Sequence, residues 1–297
     1  MQNPPGGARG KNKGAGGGRN PYQTNLEPAD LEYNQNVASG ADDRQFATTL
    51  ARGFEILRCF TAVRPVLGNK ELADETGLSR PTISRFTYTL VKLGYLREDP
   101  YTAKYRLGPA IIALGYPLLA SLTLRQAARP LMQDLADECG ASVGLGARDR
   151  LNMLYVENCE GQNIVALRVS AGSRIPLATS AMGRAYLAGL TDRERTPLID
   201  QIIRKYPDDK AALVRGIERS IKEIEKRGFC LGIGDWRKDV NGAGAPLALP
   251  NGAGLFALNC GGPAYLLKAK DIEESYGPRL VEIASKVVAS IGVKTRR

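Results

Sequence analysis

The chain has 297 residues, enough for two domains, and 43% of them are hydrophobic, enough for packed cores. It contains no histidine, which excludes Ser–His and Cys–His nucleophile pairs and HExxH zinc sites, and its five cysteines are scattered, with no CxxC pair, like reduced thiols. The net charge of +10 favours an anionic partner, while no apolar run nears a membrane span and the first residues lack a signal-like core, so a cytoplasmic protein with no membrane contact is expected.

Residues 1–43 read as a tail. Met1 to Asn20 is rich in glycine and asparagine, with Arg9, Lys11, Lys13 and Arg19 and no acid, and holds too few apolar residues to offset ordering entropy. A plain linker and a basic arm brushing DNA are both open for it. The Gly14–Gly18 run has no strand before it and no helix after it, so it is not a phosphate loop.

Residues 44–108 carry 11 basic and 6 acidic side chains, a denser positive charge than that of the 189 residues that follow. Thr48 to Phe60 has Leu50, Phe54 and Leu57 at helical spacing. A short helix from Asn69 stops at Gly77, a residue that takes φ > 0 without steric cost. Ser79 can cap the next helix, and Pro81 sits in the first turn, where a missing N–H is harmless. This spacing is a helix-turn-helix signature. At 100° per residue, Ile83, Phe86, Leu90 and Leu93 share the stripe expected to be buried. Pro81, Ser84, Arg85 and Tyr88 face the other way, with Arg80, Thr82 and Thr87 on the flanks. That face has hydroxyls and guanidinium groups and no acid, which suits a DNA major groove better than a merely solvated surface. Two alternating segments, Tyr95–Glu98 and Lys104–Leu107, flank a turn-rich tip and predict a wing, with Lys104 and Arg106 near phosphates.

Pro109 to Leu122 is helical and apolar on most sides, so it needs a partner surface, and a second subunit is the natural one. Thr123 to Glu138 is an amphipathic helix, with Thr123 as its cap and Gly140 as its stop. Strands are predicted from Ser142, Leu151 and Asn163, joined by turns at 148–150 and 160–162. Helices follow from about Ala181, Asp192 to Lys205 and Asp209 to Arg227. Strands return at Phe229–Ile233, Gly244–Leu249 and Ala253–Asn259, with Asn251-Gly252 as a hairpin turn, and a last helix covers Lys270 to Ile291. This is an α+β domain. Ser180-Ala181-Met182-Gly183 opens a helix, so its free N–H groups form an anion cradle. Gly144-Leu-Gly146 and Gly232-Ile-Gly234 lack the third glycine of a dinucleotide fingerprint, and no acid pair stands out. No catalytic residue, metal or cofactor is expected.

Leu50-Ala-Arg-Gly-Phe-Glu-Ile-Leu, Glu71 to Arg85, Leu93-Gly-Tyr-Leu and Tyr105-Arg-Leu-Gly together resemble the N-terminal domain of the isocitrate-lyase-regulator (IclR) family of bacterial transcription factors. Gly172 to Ala188, Lys226-Arg-Gly-Phe, Ala243-Gly-Ala-Pro and Asn259-Cys-Gly-Gly-Pro resemble its GAF-like effector domain. The resemblance spans about 44–297. Where the family's recognition helix usually begins Lys-Ser-Thr-Val-His-Arg, Thr82 and Arg85 match, while Pro81 and Ser84 depart.

Beyond the tail over 1–43, the resemblance implies a winged helix-turn-helix DNA-binding domain over 44–108, a linker and dimerisation helix over 109–124 and an effector domain over 125–297. It implies DNA contacts from Arg80, Pro81, Thr82, Ser84, Arg85, Tyr88 and Lys104. Ala181 and Met182 match backbone contacts to a small carboxylate, Asn259 and Gly261 match two effector-contacting serines, and Gly242 matches an often polar contact. Asp235 and Trp236 stand where the family usually has acids and a histidine; Trp236 reads equally as pocket wall and as buried aromatic. The implied partners are a double-stranded operator, a small organic acid such as an aromatic carboxylate, and copies of the chain as a homodimer or homotetramer, with repression and activation both open. A metabolite-binding enzyme with a vestigial winged domain is the alternative, and a winged module for protein–protein assembly a third reading.

Overall fold

The structure, a computed structural model, describes residues 46–161 and 169–294. The tail over 1–43 and nearly all of the strand expected from Asn163 lie outside the described residues.

The first unit holds helices α1 (Thr48–Arg58), α2 (Asn69–Thr76) and α3 (Arg80–Lys92), then a two-stranded wing, β1 (Leu96–Glu98) against β2 (Tyr105–Leu107). Gly77 ends α2 at φ 70, the left-handed cap expected of it. Ser79 takes the N-cap position of α3, but its hydroxyl lies 2.8 Å from that of Thr82 instead of accepting a backbone N–H. Ile56, Leu72, Ile83, Leu90, Leu96 and Tyr105 close a small core. Residue Leu67 bridges β2 from its other side, with its N–H 3.1 Å from the Tyr105 carbonyl, so the wing is hydrogen-bonded into the domain. The predicted buried stripe of α3 is only partly right. Ile83 and Leu90 are buried and Phe86 is half-buried, but Leu93 is 59% exposed and Thr87 is fully buried in its place. Thr87 tolerates burial because its hydroxyl donates to the carbonyl of Ile83 at 3.0 Å.

Helix α4 (Ala110–Ser121) has no buried residue and leads into α5 (Thr123–Cys139), for which Leu122, not Thr123, is the cap. No single helix among the described residues is long and apolar enough to cross a membrane; α4 and α5 together pass on length and composition, but the chain bends by 79° between them.

The second unit is a six-stranded antiparallel sheet in the order β5-β4-β3-β8-β7-β6, from β3 (Ser142–Asp149), β4 (Asn152–Glu160), β5 (Arg174–Pro176), β6 (Cys230–Ile233), β7 (Val240–Ala248) and β8 (Leu255–Pro263). Helices cover both faces. On one, α5 and the final helix α9 (Gly277–Lys294) bury Met132, Leu135, Val143, Leu258, Cys260 and Leu280. On the other, α6 (Ala181–Gly189), α7 (Asp192–Lys205) and α8 (Lys210–Arg227) bury Met153, Tyr155, Leu187, Ile202 and Ile217. Helix α7 has the predicted bounds because Thr191 and Glu194 form a capping box at its start. Strands β7 and β8 run further toward the loop over 234–239 than predicted, and Pro250–Gly252 forms a helical turn in place of a tight hairpin. The last helix is interrupted by a π turn at Ile272–Tyr276.

Truncating Ile83→Ala in this small core should cost about 2–5 kcal/mol in chemical denaturation, while Leu93→Ala should stay within about 0.5 kcal/mol; comparable losses would mean that the exposed and buried positions are misassigned.

Candidate functional site

Two places in the fold can recognise something. The first is the outer face of α3. Arg80, Pro81, Ser84, Arg85 and Tyr88 are all exposed, and Thr82 half-exposed, so no part of the described chain covers them. Helix α3 contains no acidic residue to repel a phosphate. Its polar groups are held in place: Asn69 Nδ2 donates to Ser84 Oγ at 3.2 Å, and the Lys92 ammonium stands 5.5 Å from the Tyr88 ring centre. On the wing, Arg97 and Arg106 are direct cross-strand partners and both exposed. Like charges placed opposite each other are unfavourable unless an anion comes between them.

Lys104 behaves differently from expectation. Its ammonium donates to Glu71 Oε1 at 2.9 Å, while Glu71 Oε2 accepts from the Gly68 N–H at the start of α2 at 3.2 Å. Lys104 therefore ties the wing to the helix-turn-helix, while Arg97 and Arg106 stand exposed on the wing. The Lys104 hydrogen bond, with help from backbone N–H groups, holds the Glu71 carboxyl below the ordinary carboxylate range.

The second place is a cleft of about 390 Å³, its open mouth included, at the N-terminus of α6. Its walls include Ser180, Ala181, Met182, Trp236, Gly242, Asn259 and Gly261, seven of the eight residues expected there. Asp235 does not line it. Its carboxylate pairs with Arg184 at 2.9 Å and Arg219 at 2.6 Å, and two guanidinium groups outside the cleft hold it away. Asp235 thus braces the loop that carries Trp236 against α6 and α8. The sequence reading missed Tyr155, Ile175 and Thr179, which come from β4, β5 and the turn before α6.

The cleft exists because the sheet is bare beneath it. Gly232, Gly242 and Gly261 are successive partners across β6, β7 and β8, and the next row contains Gly244, Asn259 and Gly144. A Cβ on Gly244 would stand 2.2 Å from the Ala181 carbonyl, so α6 could not begin where it does. The start of α6 is fixed by Ser180, whose Oγ accepts from the Gly183 N–H at 3.0 Å and donates to the Pro176 carbonyl at 2.6 Å. The N–H groups of Ala181 and Met182 have no carbonyl one turn earlier in the helix to bond, so they are donors for a ligand.

Asn259 is 9% exposed; its Nδ2 donates to the Tyr155 hydroxyl at 3.2 Å, and its Oδ1 is buried without a partner. Burial pushes the Tyr155 phenol up to about 12, so it stays protonated at neutral pH and has its own O–H to donate. Among the described residues no charged side chain lines the cleft; Trp236, Met182, Ile175 and Val240 make its apolar walls. Such a site meets an anion with backbone N–H groups and the helix dipole, and a flat apolar body with an indole.

A helix-turn-helix that turns an acid-free face outward is the working part of a DNA-binding transcriptional regulator, and that is the class to which this fold assigns the chain. Comparison with known proteins narrows it. Residues 49–100 match the IclR helix-turn-helix domain, and residues 117–289 match the domain described as bacterial transcriptional regulator IclR C-terminal. The chain belongs to the IclR family. It is 32% identical over 246 residues to the HTH-type transcriptional regulator TsaQ1/TsaQ2 of Comamonas testosteroni, covering 82% of this chain and 88% of that protein. It is 25% identical over 254 residues to the Pca regulon regulatory protein of Pseudomonas putida, covering 83% and 85%. A crystal structure of an IclR family regulator from Brucella abortus superimposes with a TM-score of 0.75 at 43% identity, over 84% of this chain and 95% of that one. An IclR homolog from Microbacterium hydrocarbonoxydans, complexed with 4-hydroxybenzoate, shares the fold at a TM-score of 0.66 and 20% identity, over 82% and 99%. The relatives are regulators by name, and the enzyme alternative finds no support among them.

The Glu71–Lys104 pair makes a pH prediction. Because the folded carboxyl is depressed, its stabilising effect is present above the ordinary glutamate value of about 4.3 and lost as pH falls through the folded value. Lys104→Ala should move the Glu71 titration upward in NMR, and an unmoved titration would return Lys104 to the set of phosphate ligands.

Proposed function

We propose that this regulator binds a roughly palindromic operator as a homodimer or a dimer of dimers, one α3 in the major groove of each half-site. We propose further that a small aromatic carboxylate bound at the start of α6 changes that binding. The observation that carries the DNA reading is the bare face of Arg80, Pro81, Ser84, Arg85 and Tyr88 opposite a filled core. Arg85, at mid-face, is suited to bidentate contact with guanine; Thr82, Ser84 and Tyr88 reach base edges or phosphates. Arg97 and Arg106 take the phosphate role on the wing.

Self-association is supported by α4, on which Ile112, Leu114, Tyr116 and Leu118 are each more than half exposed. The working division is a tail over 1–43, the winged domain over 44–108, the linker helix over 109–124 and the effector domain beyond. The compartment is the cytoplasm, where DNA is within reach and five unpaired, buried cysteines stay reduced. The acid is held by the Ala181 and Met182 N–H groups, its ring lies against Trp236, and Tyr155, Asn259 and the backbone at Gly242 and Gly261 meet its far end. The 4-hydroxybenzoate bound to the Microbacterium homolog has this chemistry and is the probe of choice.

Operator gel shifts test the first half. Arg85→Ala should cost about 1–3 kcal/mol and relax one base position. Arg97→Ala with Arg106→Ala should weaken all sequences alike and lower the salt slope by about 0.9 for each phosphate no longer neutralised. Identical profiles from both variants would undo the assignment. Trp236 is the one tryptophan of the chain, so its fluorescence reads the cleft directly. Titration with 4-hydroxybenzoate or its aromatic carboxylate analogues should change the emission saturably, and Ser180→Ala should weaken the effect; an indifferent Trp236 would discard an aromatic acid as the ligand.

A further inference from the structure

One carboxylate ties the two units, beside the Glu55 and Arg150 charges that also face each other there. Asp149 ends β3, and its Oδ2 lies 3.1 Å from Arg58 Nη2, at the last residue of α1 in the winged unit. The same oxygen lies 2.9 Å from Arg174 Nε, at the first residue of β5. All three side chains are about three-quarters buried. Burial alone would raise the Asp149 carboxyl, but Arg58 and then Arg174 outweigh it and hold it below the ordinary range, so it is ionised at neutral pH. Arg58 Nε is buried without a hydrogen-bond partner, so this guanidinium depends on Asp149 for compensation.

β5 is also a wall of the cleft. Ile175, next to Arg174, lines it, and the carbonyl of Pro176 holds the Ser180 hydroxyl that caps α6. The residue before Arg174, Ser173, gives its carbonyl to the N–H of Tyr155, another lining residue, at 2.9 Å. From Arg174 to the cradle at Ala181 is seven residues of sequence, of which 174–176 pair with β4, Leu177 bonds to Leu151, and Ala178 accepts from Arg184 of α6. Among the described residues β5 is a three-residue edge strand, paired with β4 alone, and short edge strands are among the easier parts of a sheet to shift.

We propose that Asp149 is an interdomain latch, and that occupancy of the cleft reaches the winged unit through β5, Arg174, Asp149 and Arg58. The proposal rests on the reading of the cleft as an effector site and adds the route of regulation. The physical device is competition for one oxygen. A ligand drawn against Ile175 and the start of α6 repositions Arg174, and any change in how Arg174 holds Oδ2 changes what Oδ2 offers Arg58. The winged unit then gains or loses its tie at the end of α1, the helix that packs on α3. Without the carboxylate, two half-buried guanidinium groups face each other and the tie becomes a repulsion.

The test uses the full chain and 4-hydroxybenzoate as probe. Trp236 fluorescence measures binding to the cleft, gel shift measures operator affinity with and without the acid, and amide hydrogen exchange measures α1 and β5. In Asp149→Asn, acid binding should persist, while a ligand effect of about 5-fold or more on operator affinity should fall to within about 2-fold of none. Exchange should quicken at the end of α1 and in β5 together. Arg58→Gln, which lies away from the cleft, should reproduce the decoupling if Asp149→Asn folds poorly. A variant that keeps the full ligand effect, or that leaves α1 exchange untouched, overturns the latch. A wild-type chain deaf to every aromatic carboxylate overturns the effector reading instead, and hydrogen exchange alone then decides whether the tie exists.

Discussion

The ligand cleft depends on a close approach: α6 begins against a part of the sheet that has no side chains. Gly244 admits the Ala181 carbonyl, Gly144 admits the Tyr155 ring, whose Cε1 would be 2.2 Å from a Cβ there, and Gly146 admits the Met182 sulfur. These glycines weaken strand propensity. The loss is tolerated because β3, β7 and β8 are central strands, hydrogen-bonded on both sides. What the sheet gains is a helix whose first N–H groups face a floor of backbone, with the side-chain polar atoms of Tyr155 and Asn259 beside it. A cleft built this way is suited to selection by shape and by one anionic end, since none of its described lining residues is charged.

One carboxylate between two arginines recurs through the molecule. Asp149 joins Arg58 and Arg174, Asp235 joins Arg184 and Arg219, and Glu157, almost wholly buried, joins Arg125 and Arg129 of α5 to β4. Arg125 Nε and Glu157 Oε2 are 2.7 Å apart yet not aligned for a hydrogen bond, so that contact is purely an ion pair. A chain with an excess of basic residues shares its acids in this way. The consequence is asymmetric: losing one arginine leaves a paired acid, whereas losing the acid leaves two guanidinium groups close together with nothing between them. Each of these acids ties different elements, so the three junctions are the sensitive points of the fold.

Local chemistry was readable and distant pairing was not. The turn at Gly77 and Ser79, the bounds of α7 and the opening of α6 at Ser180 all follow from caps, which depend on neighbours within a few residues. Trp236, open between wall and core in the sequence, proves to line the cleft. The ion pairs of Lys104 and Asp235 were not legible for one reason: their partners, Glu71 and Arg184, lie 33 and 51 residues away. Tyr155 was invisible as a lining residue because only the strand order places β4 beside the start of α6. The exposure of Leu93 has a local cause that helical periodicity cannot supply, since α3 ends at Lys92 and the chain leaves the helix axis there.

The two sites sit on opposite sides of a mechanical problem. Reading DNA requires α3 to be held firmly by its own domain, which Glu71 and Lys104 achieve by binding the wing to α2. Responding to a ligand requires the domain as a whole to be held loosely, so that a small change elsewhere shifts it. A rigid apolar interface between the units would defeat this, because packed surfaces slide poorly. A largely buried ion pair at the end of α1, centred on one carboxylate oxygen, is suited to both needs. On the latch reading, ligand energy delivered to β5 acts at this contact between the units.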